Sequence, residues 1–196
     1  MKLERFSITE ADAASTHEPV GVTIRKARLA DIPGLLELIN GYAAQGIMLP
    51  RTEFEMSENI RDFSVALLDG RVVACGALHF YSMEAAEVRS LAVLPDAKSL
   101  GLGRRIIAAL EQEAREFDLS MLFAFTYVLG FFEKCGFVEV ERGELPLKAW
   151  KDCLRCPKFQ RCDEIAVVKR LRAPRQAASP AADWELITLP TIISRH

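Results

Sequence analysis

A chain of 196 residues, half of them hydrophobic, can bury one sizeable core, and 25 Lys plus Arg against 27 Asp plus Glu give a formal charge of −2. That balance supplies no net basic field to hold a polyanion, which argues against nucleic acid as a partner, and no apolar run reaches the ~18–20 residues that span a bilayer. Lys2, Glu4 and Arg5 stand where a signal peptide's apolar region would lie, and five cysteines are an odd number, so a cytoplasmic protein without a disulfide framework is expected.

Residues 1–20 are polar with little periodicity and read as a flexible arm ahead of a single domain at 21–172. The first strand is expected at Val22–Arg25. Asp31 then caps a helix with Pro33 in its first turn and Leu35, Leu36, Leu38 and Ile39 on its apolar face. A short second helix spans Glu53–Ile60. Strands at Phe63–Leu68 and Arg71–Tyr81 flank Asp69-Gly70, a strong hairpin signal. Ala86–Val93 has strand composition, and Leu102–Phe117 places Leu102, Ile106, Leu110 and Ala114 on one helical face. A strand at Leu119–Thr126, a short helix at Leu129–Lys134 and strands at Phe137–Val140 and Glu164–Leu171 complete the order β-α-α-β-β-β-α-β-α-β-β. Residues 173–183 have linker composition, and 184–196 carry an apolar tail suited to an added edge strand or to packing on a partner subunit.

Between Val93 and Leu102 the pattern K-x-x-G-x-G runs from Lys98 to Gly103. Glycines at 101 and 103 permit φ > 0 and a close approach of backbone to ligand, so the free N–H groups of the helix start can face a diphosphate. The helix dipole, Lys98 and Arg104 add positive potential. The pattern matches neither the G-x-G-x-x-G of dinucleotide-binding folds nor the G-x-x-x-x-G-K-[ST] of P-loops.

Leu91-Ala92-Val93-Leu94-Pro95 followed by this turn resembles the acetyl-CoA motif [RQ]-x-x-G-x-[GA] of the GNAT superfamily of N-acetyltransferases, with Lys98 in place of Arg or Gln. Phe131-Phe132-Glu133-Lys134-Cys135-Gly136-Phe137 resembles its second signature, one helix and one strand later. The resemblance implies the GNAT fold, an α/β (α+β) domain whose central sheet is mixed, mostly antiparallel, flanked by helices and splayed at the acetyl-CoA site. Within the superfamily the chain is similar to the short amino-acid N-acetyltransferases of the N-acetylglutamate synthase type, without the amino-acid-kinase domain of longer enzymes. The residues carrying this are Leu49–Thr52, Glu58–Phe63, Cys75–His79, Ala86–Val93, Leu145 with Lys148 and Trp150, Asp152–Phe159 and Cys162–Glu164.

The resemblance implies acetyl transfer from acetyl-CoA to the α-amine of a small amino acid, L-glutamate first, in arginine biosynthesis. It implies Glu87 as the base acting on the amine through water, against the plainer reading of a strand carboxylate paired with Arg89. Leu91, Ala92 and Val93, the turn residues Lys98, Ser99, Leu100, Gly101, Leu102, Gly103 and Arg104, and Phe132 are implied to hold the co-substrate. Main-chain N–H groups at Leu91 and Val93 would face the oxyanion. The usual tyrosine acid of the second signature is here Phe132, so Tyr127 or water would serve. An acidic acceptor needs cationic clamps, and the candidates are Arg51, Arg89 and Lys148. Ser90 joins them only if a bulge turns it from the opposite face. Cys153, Cys156 and Cys162 have partial metal-ligand spacing, one ligand short of a closed site, and stand as candidate ligands of a structural metal against free thiols. His79 reads as a hydrogen-bonded core residue. Two other functions compatible with the fold are a peptide acetyltransferase and an inactive CoA- or metal-sensing module. A homodimer is expected from the apolar tail.

Overall fold

The Asp69-Gly70 dipeptide does form a hairpin turn: in a computed structural model, which describes residues 21–145, 158 and 161–173, both residues have positive φ (50° and 79°), as a two-residue primed turn requires. The turn joins β2 (Phe63–Leu68) to β3 (Arg71–Phe80). With β1 (Val22–Lys26), β4 (Ala85–Val93), β5 (Met121–Thr126), β6 (Val138–Val140) and β7 (Ile165–Arg170) they make one sheet in the order β1-β2-β3-β4-β5-β7-β6. Neighbours are antiparallel throughout, except for the parallel pair β4–β5. The arm at 1–20, the tail at 184–196, the linker beyond Ala173 and most of the cysteine-rich stretch lie outside the described residues.

Helices cover both faces. On one, Leu35, Leu38 and Ile39 of α1 (Ile32–Ala43) and Met56 of α2 (Glu53–Asn59) pack with Val65, Cys75, Ala77 and Ala92 of the sheet. On the other, Leu102, Ile106 and Leu110 of α3 (Leu102–Glu116), with Phe132 of α4 (Leu129–Glu133), pack with Leu78, Ala86, Val88 and Ala124. Gly76 sets the closeness of α3, because a Cβ there would fall 2.7 Å from Cγ2 of Ile106. No helix among the described residues is long and apolar enough to cross a membrane.

Two local expectations are revised. Asp31 occupies the N-cap position of α1, yet its side chain does not cap that helix. Its two oxygens instead take Nη1 and Nη2 of Arg25 at 2.7 and 2.9 Å, and one also takes the Arg28 N–H, because a guanidinium outcompetes a single amide for a carboxylate. Glu53–Ile60 divides into α2 and a 3₁₀ turn at Ile60–Asp62.

Two irregularities in β4 matter for function. Cys75 pairs with Ala92 and Ala77 with Arg89, so Gly76 alone faces both Ser90 and Leu91, and Ser90 sits at φ 49°. This is a β-bulge. It shifts the alternation by one residue, so that Ala92, rather than Leu91, returns to the α1–α2 face. The second irregularity is the shortness of the β4–β5 pairing, which covers only Ala85↔Met121, Ala86↔Leu122 and Glu87↔Phe123. Beyond Glu87 the two strands part, leaving one flank of β4 from Val88 onward open toward the gap.

Candidate active site

Glu87 is the last β4 residue paired to β5, and so it stands at the apex of the gap. Its side chain is 10% exposed, and Oε2 lies 3.4 Å from Nε of Arg89. Burial pushes the carboxyl upward from its ordinary value, while Arg89, the Tyr81 hydroxyl and His79 oppose that shift and Glu164 adds to it. Tyr81 is pushed upward in turn, by burial first and by the Glu87 charge second. The strand carboxylate is therefore neither solvated nor fully neutralised. A carboxylate of raised basicity in a cleft is suited to taking a proton.

A cavity of about 430 Å³ opens at this point. Its walls are Glu87–Leu91 of β4, Phe125–Val128 at the end of β5, Phe132, the stretch 46–51 after α1, and Lys158, Cys162 and Glu164. A second cavity of about 460 Å³ lies between α2 and β3, lined by Glu55, Glu58, Asn59, Asp62 and His79 among others, and shares Arg51, Arg89 and Ser90 with the first. Arg51 is held by its backbone: its N–H reaches Oδ1 of Asn40 at 2.8 Å, and its carbonyl accepts from Nδ2 of the same side chain at 2.9 Å. The bulge brings Ser90 onto both cavities, and the Cys75 thiol donates to the Ser90 carbonyl at 3.4 Å. Burial drives that thiol up to about 12, so Cys75 is a packing group and not a nucleophile.

At the other end of β4, the chain passes through a 3₁₀ turn at Pro95–Leu100 into Gly101, at φ 67°, and then α3. The first intrahelical bond is Arg105 N–H to Gly101 O, so the N–H groups of Leu102, Gly103 and Arg104 precede the helical ladder, and no side chain caps them. Lys98, Ser99, Gly101 and Arg104 are exposed there. Nothing lies within 4 Å of a Cβ built on Gly101, which leaves the approach to the helix start open. Gly103 differs from the expectation: its φ is not positive, and its lack of a Cβ admits the Phe131 ring, two carbons of which would lie 3.2 Å from that atom. The Nζ of Lys98 sits 5.8 Å from the Tyr42 ring centroid, and the Tyr42 hydroxyl donates to the Val93 carbonyl at 2.6 Å, tying α1 to the end of β4.

Tyr127 lines the first cavity at 37% exposure, with Nζ of Lys158 at 3.3 Å from its hydroxyl. Phe132 is buried and stacks edge-on with Phe131 and Phe137. Thus Glu87, Arg89, Ser90, Leu91, Tyr127, Phe132 and Arg51 share one cavity, whereas the Lys98–Arg104 turn lies apart at the head of α3. Lys148, Cys153 and Cys156 fall outside the described residues. The Cys162 thiol takes Nη2 of Arg142 at 3.1 Å and lies 3.7 Å from Oε2 of Glu164. Sequence reasoning assigned no role to Glu164 or Lys158, though both lie in or beside the cysteine segment, and it foresaw neither the second cavity nor a partner for His79. That imidazole pairs with Asp62, which the quoted stretch Glu58–Phe63 contains.

Comparison with known proteins bears on the family and the fold. The family model described as acetyltransferase (GNAT) family matches residues 36–137. An uncharacterized N-acetyltransferase of Chlorobaculum tepidum is 43% identical over 76% of this chain and 96% of its own length. The amino-acid acetyltransferase of Aliivibrio fischeri is 35% identical over 76% of this chain, which spans about a third (33%) of that enzyme. Among solved structures, the N-acetylglutamate synthase of Neisseria gonorrhoeae, complexed with coenzyme A and N-acetyl-glutamate, superimposes with a TM-score of 0.72 at 31% identity, over 79% of this chain and 36% of that one.

Proposed function

Since the chain belongs to the acetyltransferase (GNAT) family, we propose that it moves the acetyl group of acetyl-CoA to the α-amino group of a small amino acid, with L-glutamate as the acceptor and arginine biosynthesis as the setting. The observation that carries the reading is the buried Glu87, paired with Arg89 at the point where β4 leaves β5. The amino-acid acetyltransferases among its relatives and the N-acetylglutamate synthase neighbour support this choice of acceptor.

An amine attacks a thioester only as the free base, and at neutral pH most α-amino groups are protonated. Glu87 takes that proton, directly or through one water. Arg89 keeps Glu87 partly ionised and, with Arg51 and Lys148, holds the acceptor's carboxylates; Ser90 adds a hydroxyl at the same wall. The thioester lies in the β4–β5 gap, where main-chain N–H groups at Leu91 and Val93 stabilise the oxyanion as the C–N bond forms, with Ala92 between them. The C–S bond then breaks. The nitrogen sheds its second proton as the amide forms, Tyr127 protonates the leaving thiolate and recovers that proton through water, a modest demand because an ordinary thiol has a pKa of ~8.5. The N–H groups of Leu102, Gly103 and Arg104 meet the diphosphate with Lys98 and Arg104, while Ser99 and Leu100 shape the turn and Phe132 borders the pantetheine arm. The activity belongs in the cytoplasm. A metal at Cys153, Cys156 and Cys162 would be structural, and a dimer would form through the tail at 184–196; metal analysis and sedimentation test these two points.

The deciding experiment is thiol release from acetyl-CoA across the free amino acids, with the acetylated product identified by mass. Selective turnover with glutamate supports the reading. Binding of CoA with no amino acid turned over removes it.

A further inference from the structure

Across the β3–β4 ladder, His79 stands directly opposite Glu87. Residues paired in register project from the same face of a sheet, with Cβ atoms ~4.5–5.5 Å apart. Nδ1 of His79 lies 2.7 Å from Oδ2 of Asp62, and its ring meets Tyr81 edge-on with centroids 5.2 Å apart, so the imidazole plane is held from two sides. A carboxylate at Nδ1 selects the tautomer protonated there and leaves Nε2 as the basic nitrogen. The Asp62 contact engages Nδ1 alone. The His79 and Asp62 side chains are 27% and 24% exposed, against 10% for Glu87, and both line the second cavity. The pair thus meets solvent at the second cavity, and the register sets His79 beside the strand position of the buried Glu87.

Acetylation of an ammonium releases one proton per turnover, and a proton left on Glu87 would stop the next cycle. We propose that the Asp62–His79 pair carries that proton from Glu87 to solvent through the second cavity, restoring the base after each turnover. This rests on the acetyl-transfer reading above. Across water, the Glu87 O–H bond breaks as Nε2–H forms, and the imidazolium then gives that Nε2 proton to water of the second cavity, keeping Nδ1–H on Asp62 and so returning to its starting tautomer. Asp62 stabilises the imidazolium, as do the carboxylates of Glu55 and Glu58 from α2 and of Glu87 from β4. Arg51 and Arg89 oppose it, and the Tyr81 ring, just beyond the end of β3, stands edge-on to it. His79 and Asp62 are positioning and proton-carrying residues that need not touch the acceptor.

The test compares wild type, His79→Ala and Asp62→Asn by thiol release, with melting temperature and CoA affinity as checks of the fold. His79→Ala is expected to lower kcat at least about tenfold with the acceptor KM little changed, and added imidazole is expected to restore the rate in proportion to its concentration. Asp62→Asn is expected to lower kcat less, without imidazole rescue, since the ring remains. An active wild type with His79→Ala at wild-type kcat, or a loss in KM alone that ignores imidazole, overturns the relay and leaves acetyl transfer standing. An inactive wild type strikes both. Nitrogen NMR of the full chain gives a reading independent of turnover: Nδ1–H is expected for His79, and an Nε2–H tautomer overturns the proposal.

Discussion

Glu87 is held in a place that costs the fold something, and the cost has a sign. Its pKa is raised in the native state, so between the ordinary carboxylate value of ~4.3 and the raised value the folded chain binds more protons than the unfolded one. Stability then falls as pH rises through that window and stays lower above it. Glu87→Gln, which cannot ionise, is expected to melt close to wild type near pH 4 and above it at neutral pH; calorimetry at several pH values measures this. The same variant is expected to lose kcat by about a hundredfold or more with CoA affinity unchanged, and the wild-type rate is expected to fall on acidification at a pH above the usual carboxylate range. Tyr127→Phe separates acid from scaffold: if the hydroxyl protonates the thiolate, kcat drops and the acceptor KM holds. Of this site, the place of Glu87 and the open helix start were legible in sequence because each sits inside a local motif. The His79–Asp62 contact joins positions 17 residues apart through a strand crossing, and no local pattern announces it.

Elements defined by periodicity were read well. The spacing of Leu102, Ile106, Leu110 and Ala114 anticipates α3 to within a residue, and the Asp69-Gly70 turn sets the adjoining pairs Leu68↔Arg71 and Leu67↔Val72, beyond which the β2–β3 register shifts. What sequence could not show is how closely elements approach. Gly76 lies in the middle of an ordinary-looking strand, yet a Cβ there would press on Ile106 and Leu110 of α3. Gly76→Ala is expected to destabilise the domain by about 1–3 kcal/mol through overpacking against Ile106 and Leu110. Gly41 offers the contrast, being exposed in α1 with nothing within 4 Å of a built Cβ. Gly41→Ala is expected to stabilise by about 0.5–1 kcal/mol, and urea melts of the two variants should move in opposite directions. The bulge at Ser90 stood in the sequence only as a condition for that residue to reach the site. Its residue is not glycine, and its cause is the two-against-one pairing at Gly76.

At the scale of the whole molecule, the sheet consists of two sections, β1–β4 and β5–β7–β6, joined through three parallel residue pairs. A co-substrate in the gap would bridge them. CoA at a hundred times its dissociation constant is expected to add about 2.7 kcal/mol to stability, which for a domain of this size raises the melting temperature by roughly 5–11 °C. Scanning fluorimetry checks that shift. The strand order has a further consequence, for synthesis. β7 lies between β5 and β6, although it follows both in the chain, so the edge of β5 away from β4, and the β6 edge that faces it, have no partner until residue 170 has been made. Until then Met121–Thr126, an uncharged run of apolar residues ending in Thr, is an open edge of the kind that recruits other chains. A chain halted before Ile165 is therefore expected to collect as aggregate, and the interval between translating β5 and β7 is when the nascent protein most needs a chaperone.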